Sequence, residues 1–173
     1  MPPAGDEDVA LCRRAARGDR AAFGLLVAAH EKKLRAFLAH VAGAQLADEL
    51  AQEAFLKAWQ SLDRFAGRSA FSSWLCAIGW RCFIDHKRRE RSEGRRREAA
   101  GELAERVESH GGEGRIDLAR VLATLDPAER AALVLCEGHG WSHEEAAQIL
   151  RVPLGTLKGM VRRAKQKCRE RLG

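Results

Sequence analysis

The sequence predicts an all-α protein of two small helical domains joined by a flexible linker, the second domain containing a helix-turn-helix. Three observations carry that prediction. Proline is absent between Gly5 and Asp126, tyrosine is absent altogether, and Ala, Leu, Arg and Glu, all good helix formers, dominate. Apolar residues recur at spacings of three and four, the signature of one buried helix face. That periodicity lapses between Arg91 and Gly114, around Arg95-Arg96-Arg97 and Gly111-Gly112-Glu113-Gly114, and then resumes at Ile116. The expected boundaries are therefore 6–91 and 116–172, with a linker at 92–115, partly helical over Ala99–Val107.

The elements follow in order. Gly18-Asp19 is a break and an N-cap, after which Phe23, Leu26, Val27, His30, Leu34, Phe37, Leu38 and Val41 trace one stripe that Gly43 ends. A second helix is expected from about Ala47 to Leu62, burying Leu50, Phe55 or Ala54, Trp59 and Leu62. Asp63–Ser69 is a loop, and a third helix starts near Ser69 or Ala70 with Phe71, Trp74, Leu75, Ile78, Cys82 and Phe83 inward. Beyond the linker, Asp126-Pro127-Ala128-Glu129 combines a cap, a proline at the first helical position and an acid at the third. Leu133, Val134 and Cys136 form the apolar side of that helix, and Gly138-His139-Gly140 stops it. Ser142-His143-Glu144-Glu145 reads as a capping box opening a short helix with Ala146, Ala147, Ile149 and Leu150 inward. Arg151-Val152-Pro153 is the turn, and a last helix from about Leu154 to Leu172 carries the seam Leu154, Leu157, Val161, Ala164, Cys168. A short helix, a tight turn and a longer helix make the helix-turn-helix pattern, whose second helix enters the DNA major groove.

Composition narrows the function classes. The chain has 173 residues, with 30 Lys+Arg against 24 Asp+Glu for a net charge of +6, and an isoelectric point near 9.4. Charged residues at 31% and hydrophobic ones at 46% fit a folded protein and exclude wholesale disorder. No run approaches the ~18 apolar residues of a membrane span, and the acidic opening Asp6-Glu7-Asp8 is unlike a signal peptide, so a cytoplasmic protein without membrane insertion is expected. Cys12, Cys76, Cys82, Cys136 and Cys168 form no C-x-x-C pair and fall mostly at apolar helical positions, where Cys acts as a small hydrophobe. His139 and His143 are separated by Gly140 and a helix start. No metal, cofactor or catalytic residue is expected.

Charge placement is more informative than its sum. From Thr156 to Arg171 seven basic residues, including Lys158, Arg162, Arg163 and Lys165, stand against Glu170 alone, suited to phosphates and guanine edges. Asp48, Glu49 and Glu53, with Gln52 beside them, make an acidic patch that the helix dipole alone would also favour. The third helix ends in His86-Lys87-Arg88-Arg89-Glu90-Arg91 and contains Trp74 and Trp80. Cations among aromatic rings suit single-stranded nucleic acid, and core packing is the competing role for the rings.

These stretches resemble a known family. Ala47-Asp48-Glu49-Leu50-Ala51-Gln52-Glu53-Ala54-Phe55-Leu56-Lys57-Ala58-Trp59 resembles the core-polymerase-binding region of bacterial sigma factors. Phe71–Gly79, then Ile84-Asp85 and Arg88-Arg89, resembles the segment that melts and reads the −10 promoter element. Leu125–Arg163, with Glu144-Glu145-Ala146-Ala147 and Val152–Lys158, resembles the region that reads the −35 element. Two domains on a short linker are similar to the extracytoplasmic-function group of the sigma-70 family.

The resemblance implies a set of roles. Asp48, Glu49, Gln52 and Glu53 would face the clamp of the polymerase β′ subunit, and the β flap would be a second polymerase contact. Phe65, Arg68, Ser72, Arg81, Arg88 and Arg89 would contact the melted −10 strand, the cost of unstacking being offset by pocket contacts. Thr156, Lys158, Arg162, Arg163 and Lys165 would lie on −35 duplex, and an anti-sigma protein would be a further partner. The chain departs from the family pattern at Arg81, which bears on −10 base preference, and at Cys136, Arg151, where a turn glycine is common, and Gly159-Met160, so an unusual −35 sequence or weaker −35 binding is expected. Two other functions compete: a sigma-like decoy that binds an anti-sigma protein, and a simple helix-turn-helix regulator. The decoy would be expected to lose its basic face; the regulator leaves Asp48–Trp59 and Phe71–Arg89 without a role.

Overall fold

A computed structural model describes residues 5–100 and 118–172, and these residues are helices joined by tight turns. In the first module α1 spans Asp6–Ala16 and α2 spans Arg20–Ala42. The Asp19 side chain caps α2 by accepting from the Ala22 N–H at 3.0 Å, and the same carboxylate takes Arg14 Nη2 of α1 at 2.8 Å. One acid thus caps α2 and ties it to α1. Gly43, at φ 90°, ends α2 and directly precedes α3, Ala44–Gln60. Left-handed backbone is nearly free for glycine, which allows so short a reversal. A single 3₁₀ turn, Leu62–Arg64, and a loop lead to α4, Phe71–Ala99.

The core of this module lies between α2, α3 and α4, around Leu26, Leu34, Phe37, Leu38, Leu50, Phe71, Leu75 and Phe83, all almost fully buried. Small residues bring the backbones close. Ala47, Ala51, Ala54 and Ala58 are the buried stripe of α3, and a Cβ on Gly79 of α4 would come within 2.9 Å of Leu34 Cδ1.

The second module contains α5 (Leu118–Ala123), α6 (Pro127–Leu133), α7 (His143–Leu150) and α8 (Leu154–Leu172). Asp126 caps α6 through the Ala128 N–H at 2.9 Å. After Leu133 the helix widens into one π turn, Val134–Gly138. The capping box forms as expected: the Glu145 N–H donates to Ser142 Oγ at 3.1 Å, and the Ser142 N–H donates to Glu145 Oε2 at 3.0 Å. Leu157, Val161 and Ala164 are the buried seam of α8.

Several expectations change. α1 precedes the first expected helix and is not among the expected elements, although Leu11, Cys12 and Ala15 are buried at helical spacing. On α3 the buried residues are alanines and Leu50, while Phe55 and Trp59 are half-buried, edge-on to Phe23. On the π turn Leu135 is fully buried and Cys136 only half so, because the wider turn shifts the helical phase. The expected boundary at Arg91 falls inside α4, which continues to Ala99. Gly94 weakens that stretch without ending it, the rest being good helix formers, and the Lys87–Glu90 pair at 2.8 Å supports the exposed turn just before it. The remainder of the expected linker helix, residues 101–107, lies outside the described residues, as do Gly111–Gly114 and Ile116.

The two modules also pack on each other. Trp141, buried to 6% exposure, donates its indole N–H to Ser73 Oγ of α4 at 3.1 Å. Lys33 Nζ of α2 sits 3.9 Å from the Trp141 ring centroid, a cation–π contact. Arg130 of α6 donates to the Val41 carbonyl at the end of α2 at 2.9 Å, and to Ala123 and Leu125 of its own module at 3.1 and 3.2 Å. His139 meets Phe37 and His40 edge-on. Burial first, then the neighbouring Lys33 and His40, pushes the His139 imidazole below its ordinary pKa and favours its neutral form.

Candidate functional site

The acidic patch lies near the start of α3, and its members are not equivalent. Glu49 and Gln52 are exposed. Asp48 is exposed too but ion-paired with Arg35 of α2. Glu53 is drawn inward: Lys57 Nζ reaches its Oε1 at 2.8 Å, and Arg89 Nη2 of α4 lies 3.7 Å from its Oε2. Half of the patch is therefore open to a partner, and Glu53 also braces α3 against α4. Leu56, at 57% exposure, lies one helical turn beyond Gln52. It adds an apolar position that a search for charge alone overlooks.

The residues expected on the −10 strand fall on the loop before α4 and along α4. Phe65 is half-buried against Phe71 and Trp74, with ring centroids 5.6 and 5.2 Å apart. Arg68 is exposed and Ser72 half-buried; the neighbouring Ser73 is the one taken up by Trp141. Arg81 is exposed and donates from Nε to the Ala77 carbonyl at 3.2 Å. Arg88 stands 3.9 Å from Asp85, and Arg89 leans toward Glu53. Trp80 is buried and serves the core.

On α8, Thr156, Lys158 and Arg162 are exposed, and among the described residues neither cation is in an ion pair. Arg163 and Lys165 are held differently. Arg163 Nε donates to Glu129 Oε1 at 2.7 Å, and Lys167 Nζ meets Glu129 Oε2 at 2.6 Å. Glu129 is 6% exposed; burial pushes its carboxyl up, but the two cations outweigh burial and hold it below its ordinary pKa. Lys165 pairs with Glu137 at 2.8 Å. The α8 face thus divides into an open part, Thr156–Arg162, and a part that also anchors α8 to α6 and the π turn.

Between the modules lies a cleft of about 440 Å³ lined by Lys57, Ser61, Arg64, Trp74, Ile78, Arg81, Asp85 and Arg151. Arg151 occupies the α7–α8 turn at φ 56°, the one left-handed non-glycine among the described residues. A side chain there costs about 1–2 kcal/mol relative to right-handed backbone. Partial desolvation of the Arg81 guanidinium in the cleft, then the Arg151 charge, lowers its pKa against the opposing pull of Cys82 and Asp85.

The cysteines are core groups: Cys12, Cys76 and Cys82 are buried, Cys136 and Cys168 half-buried. Burial pushes the Cys12 and Cys76 thiols up to about 12. No group of three or more metal-ligating side chains occurs among the described residues. None of the described helices is long and apolar enough to cross a membrane.

Comparisons with known proteins agree with this division. Residues 26–93 match the family model for sigma-70 region 2, and residues 115–168 match that for sigma-70 region 4. The chain is 33% identical over 166 residues to the probable RNA polymerase sigma-C factor of Mycobacterium bovis, covering 92% of this chain and 89% of that one. It is 30% identical over 177 residues to the ECF RNA polymerase sigma-E factor of Escherichia coli, covering 92% and 91%. Among solved structures, the sigma factor RpoE in complex with the anti-sigma factor NepR from Bartonella quintana superposes with a TM-score of 0.73 at 30% identity, over 87% of this chain and 96% of that one. CnrH in complex with the cytosolic domain of CnrY gives 0.70 at 28% identity, over 96% and 97%.

Proposed function

The chain belongs to the sigma-70 family, in its extracytoplasmic-function group, and on that premise we propose that it directs core RNA polymerase to promoters by reading −10 and −35 elements. The family is one of transcription initiation factors, not enzymes, and we assign this chain no chemical step of its own. The observation that carries the assignment is the capped helix-turn-helix, with Thr156, Lys158 and Arg162 outward on α8.

Glu49 and Gln52, with Leu56 beside them, are the exposed residues of α3 for the polymerase clamp, and Asp48 joins them once Arg35 releases it. Glu53 keeps its bracing role and adds charge to the same face. Arg68, Ser72, Arg81, Arg88 and Arg89 track the −10 strand, with Phe65 offering a ring edge for an unstacked base. Lys158 and Arg162 are the principal −35 cations; Arg163 and Lys165 contribute from within their ion pairs. An anti-sigma protein is the expected regulator, as in the RpoE–NepR complex matched above, and the cytoplasm is the expected compartment. The modules correspond to 6–91 and 116–172, with the end of α4 leading into the linker.

Promoter binding requires the packed modules to part. Elements centred at −10 and −35 lie about 25 base pairs apart, or about 85 Å of duplex at 3.4 Å per base pair. Two readers joined through Trp141 and Ser73 cannot cover that span. The described arrangement is the closed form, and the open form is the one that initiates.

Reconstituted transcription tests the proposal. Core polymerase with this protein, run on a pool of genomic promoters, is expected to yield specific transcripts that core alone does not. A Gln52→Ala, Leu56→Ala double variant is expected to lose core binding while keeping its fold. No stimulation on any promoter, together with tight binding to an anti-sigma protein, would install the decoy function in its place.

A further inference from the structure

We propose that the cleft between the two modules is a binding site for a phosphorylated nucleotide, with Arg64, Arg81 and Arg151 holding the phosphates and Trp74 and Ile78 receiving the ring. The cleft's volume, about 440 Å³, lies in the range of small-molecule sites. Its lining has four cations, Lys57, Arg64, Arg81 and Arg151, against one acid, Asp85. Lys57 is committed to Glu53, and Asp85 faces Arg88 at 3.9 Å. Among the described residues Arg64, Arg81 and Arg151 form no ion pair, so three guanidiniums share a cleft whose one acid, Asp85, cannot neutralise them all. An anion between them removes that repulsion, and guanidinium forks match phosphate oxygens two at a time.

Arg151 sharpens the point. It comes from the other module and adopts left-handed backbone, where glycine or asparagine would sit without strain. The left-handed residue closes α7, its N–H bonding the Gln148 carbonyl at 3.3 Å while the Val152 N–H takes Ala147 at 3.0 Å, so what arginine adds over glycine there is a charge in the same cleft as Arg81. The site exists only while the modules are packed, so its ligand stabilises the closed form by mass action. The inference goes beyond promoter reading and does not need it, because a reader of −10 DNA in the first module has no use for Arg151. The phosphate has two sources, a free nucleotide or the backbone of a single strand.

Titration of the full chain at low salt with ATP in EDTA, and separately with a single-stranded ten-nucleotide DNA, tests the site. The comparison is with Arg151→Asn, which suits the left-handed turn and is expected to melt no lower than the parent. Binding of either probe that weakens about tenfold in Arg151→Asn, the worth of one charge-assisted hydrogen bond, supports the site. The probe that shows it identifies the source. The bound probe is also expected to raise the melting temperature of the parent more than that of the variant. Absence of binding by both probes overturns the proposal, as does affinity unchanged in Arg151→Asn. Equal weakening by Arg20→Gln, on the exposed start of α2, reduces the effect to general charge and overturns it as well.

Discussion

Replacing Ser73 by alanine isolates the bond that closes the modules. Ser73 is 5% exposed and Trp141 6%, and their hydrogen bond is 3.1 Å long. Alanine removes the acceptor but little volume, leaving a buried indole N–H unpaired at a cost of about 1–3 kcal/mol. The first module keeps its core, since Phe71, Leu75 and Phe83 hold α4 independently of that hydroxyl. The cost therefore falls on closure, and the ratio of open to closed molecules is expected to rise by roughly 5- to 150-fold. Donor and acceptor dyes on exposed positions of α3 and α8 would report this as a drop in transfer efficiency, with the far-ultraviolet helical signal unchanged. Binding to −35 duplex should tighten in parallel if closure competes with promoter engagement. An unchanged dye distance in Ser73→Ala would refute the claim that this bond governs closure. A longer distance with unchanged DNA affinity would refute the competition.

Four other outcomes are expected. Gly79→Ala puts a methyl within 2.9 Å of Leu34 Cδ1, and overpacking of that α2–α4 crossing should cost about 1–3 kcal/mol in denaturant melts; a neutral or stabilising effect would show that the leucine yields freely. Glu129 has a lowered pKa in the folded state, so its contribution is present above the ordinary value of 4.5 and is lost as pH falls through the lower folded one; Glu129→Gln should flatten that acid limb of a stability–pH curve. His139 also has a lowered pKa. Closure should therefore be favoured above about 6.5 and weaken as pH falls below it, and a dye-pair titration of His139→Gln should lack the change. Lys158→Ala should weaken −35 duplex binding and reduce its salt slope by about one, whereas an equal slope would remove Lys158 from the phosphate contacts.

Local chemistry makes much of the fold legible in the sequence. Asp19, Gly43, Asp126 and Ser142 with Glu145 mark helix ends through bonds made within a few residues, and all four lie where the sequence placed them. The helix-turn-helix was legible for the same reason. Long-range consequences were not. Nothing near Ser73 announces Trp141, 68 positions later, and a serine between Ser72 and Trp74 offers no distinctive pattern. The end of α4 carries no apolar spacing to mark it as helix. Exposed turns with good formers and paired charges, such as Lys87 and Glu90, need no core. The functional surfaces divide similarly. The sequence located the charges on α3 and α8, but the ion pairs that occupy Glu53 and Arg163 depend on Arg89 and Glu129, on other helices.

The π turn at Val134–Gly138 holds one residue more than a regular turn would need. Each residue of an α-helix advances the chain by about 100° around the axis. Deleting one residue within the turn would make α6 a more regular helix and swing all that follows through about that angle. His139 and Trp141 would then leave α2 and α4, and the Arg151 side of the cleft would go with them. Whether the two halves dock is thus written partly in chain length, as a single-residue insertion. A relative one residue shorter here is expected to lose the docking and to need a different α6–α8 pairing as well, because Glu129 would no longer face Arg163 and Lys167.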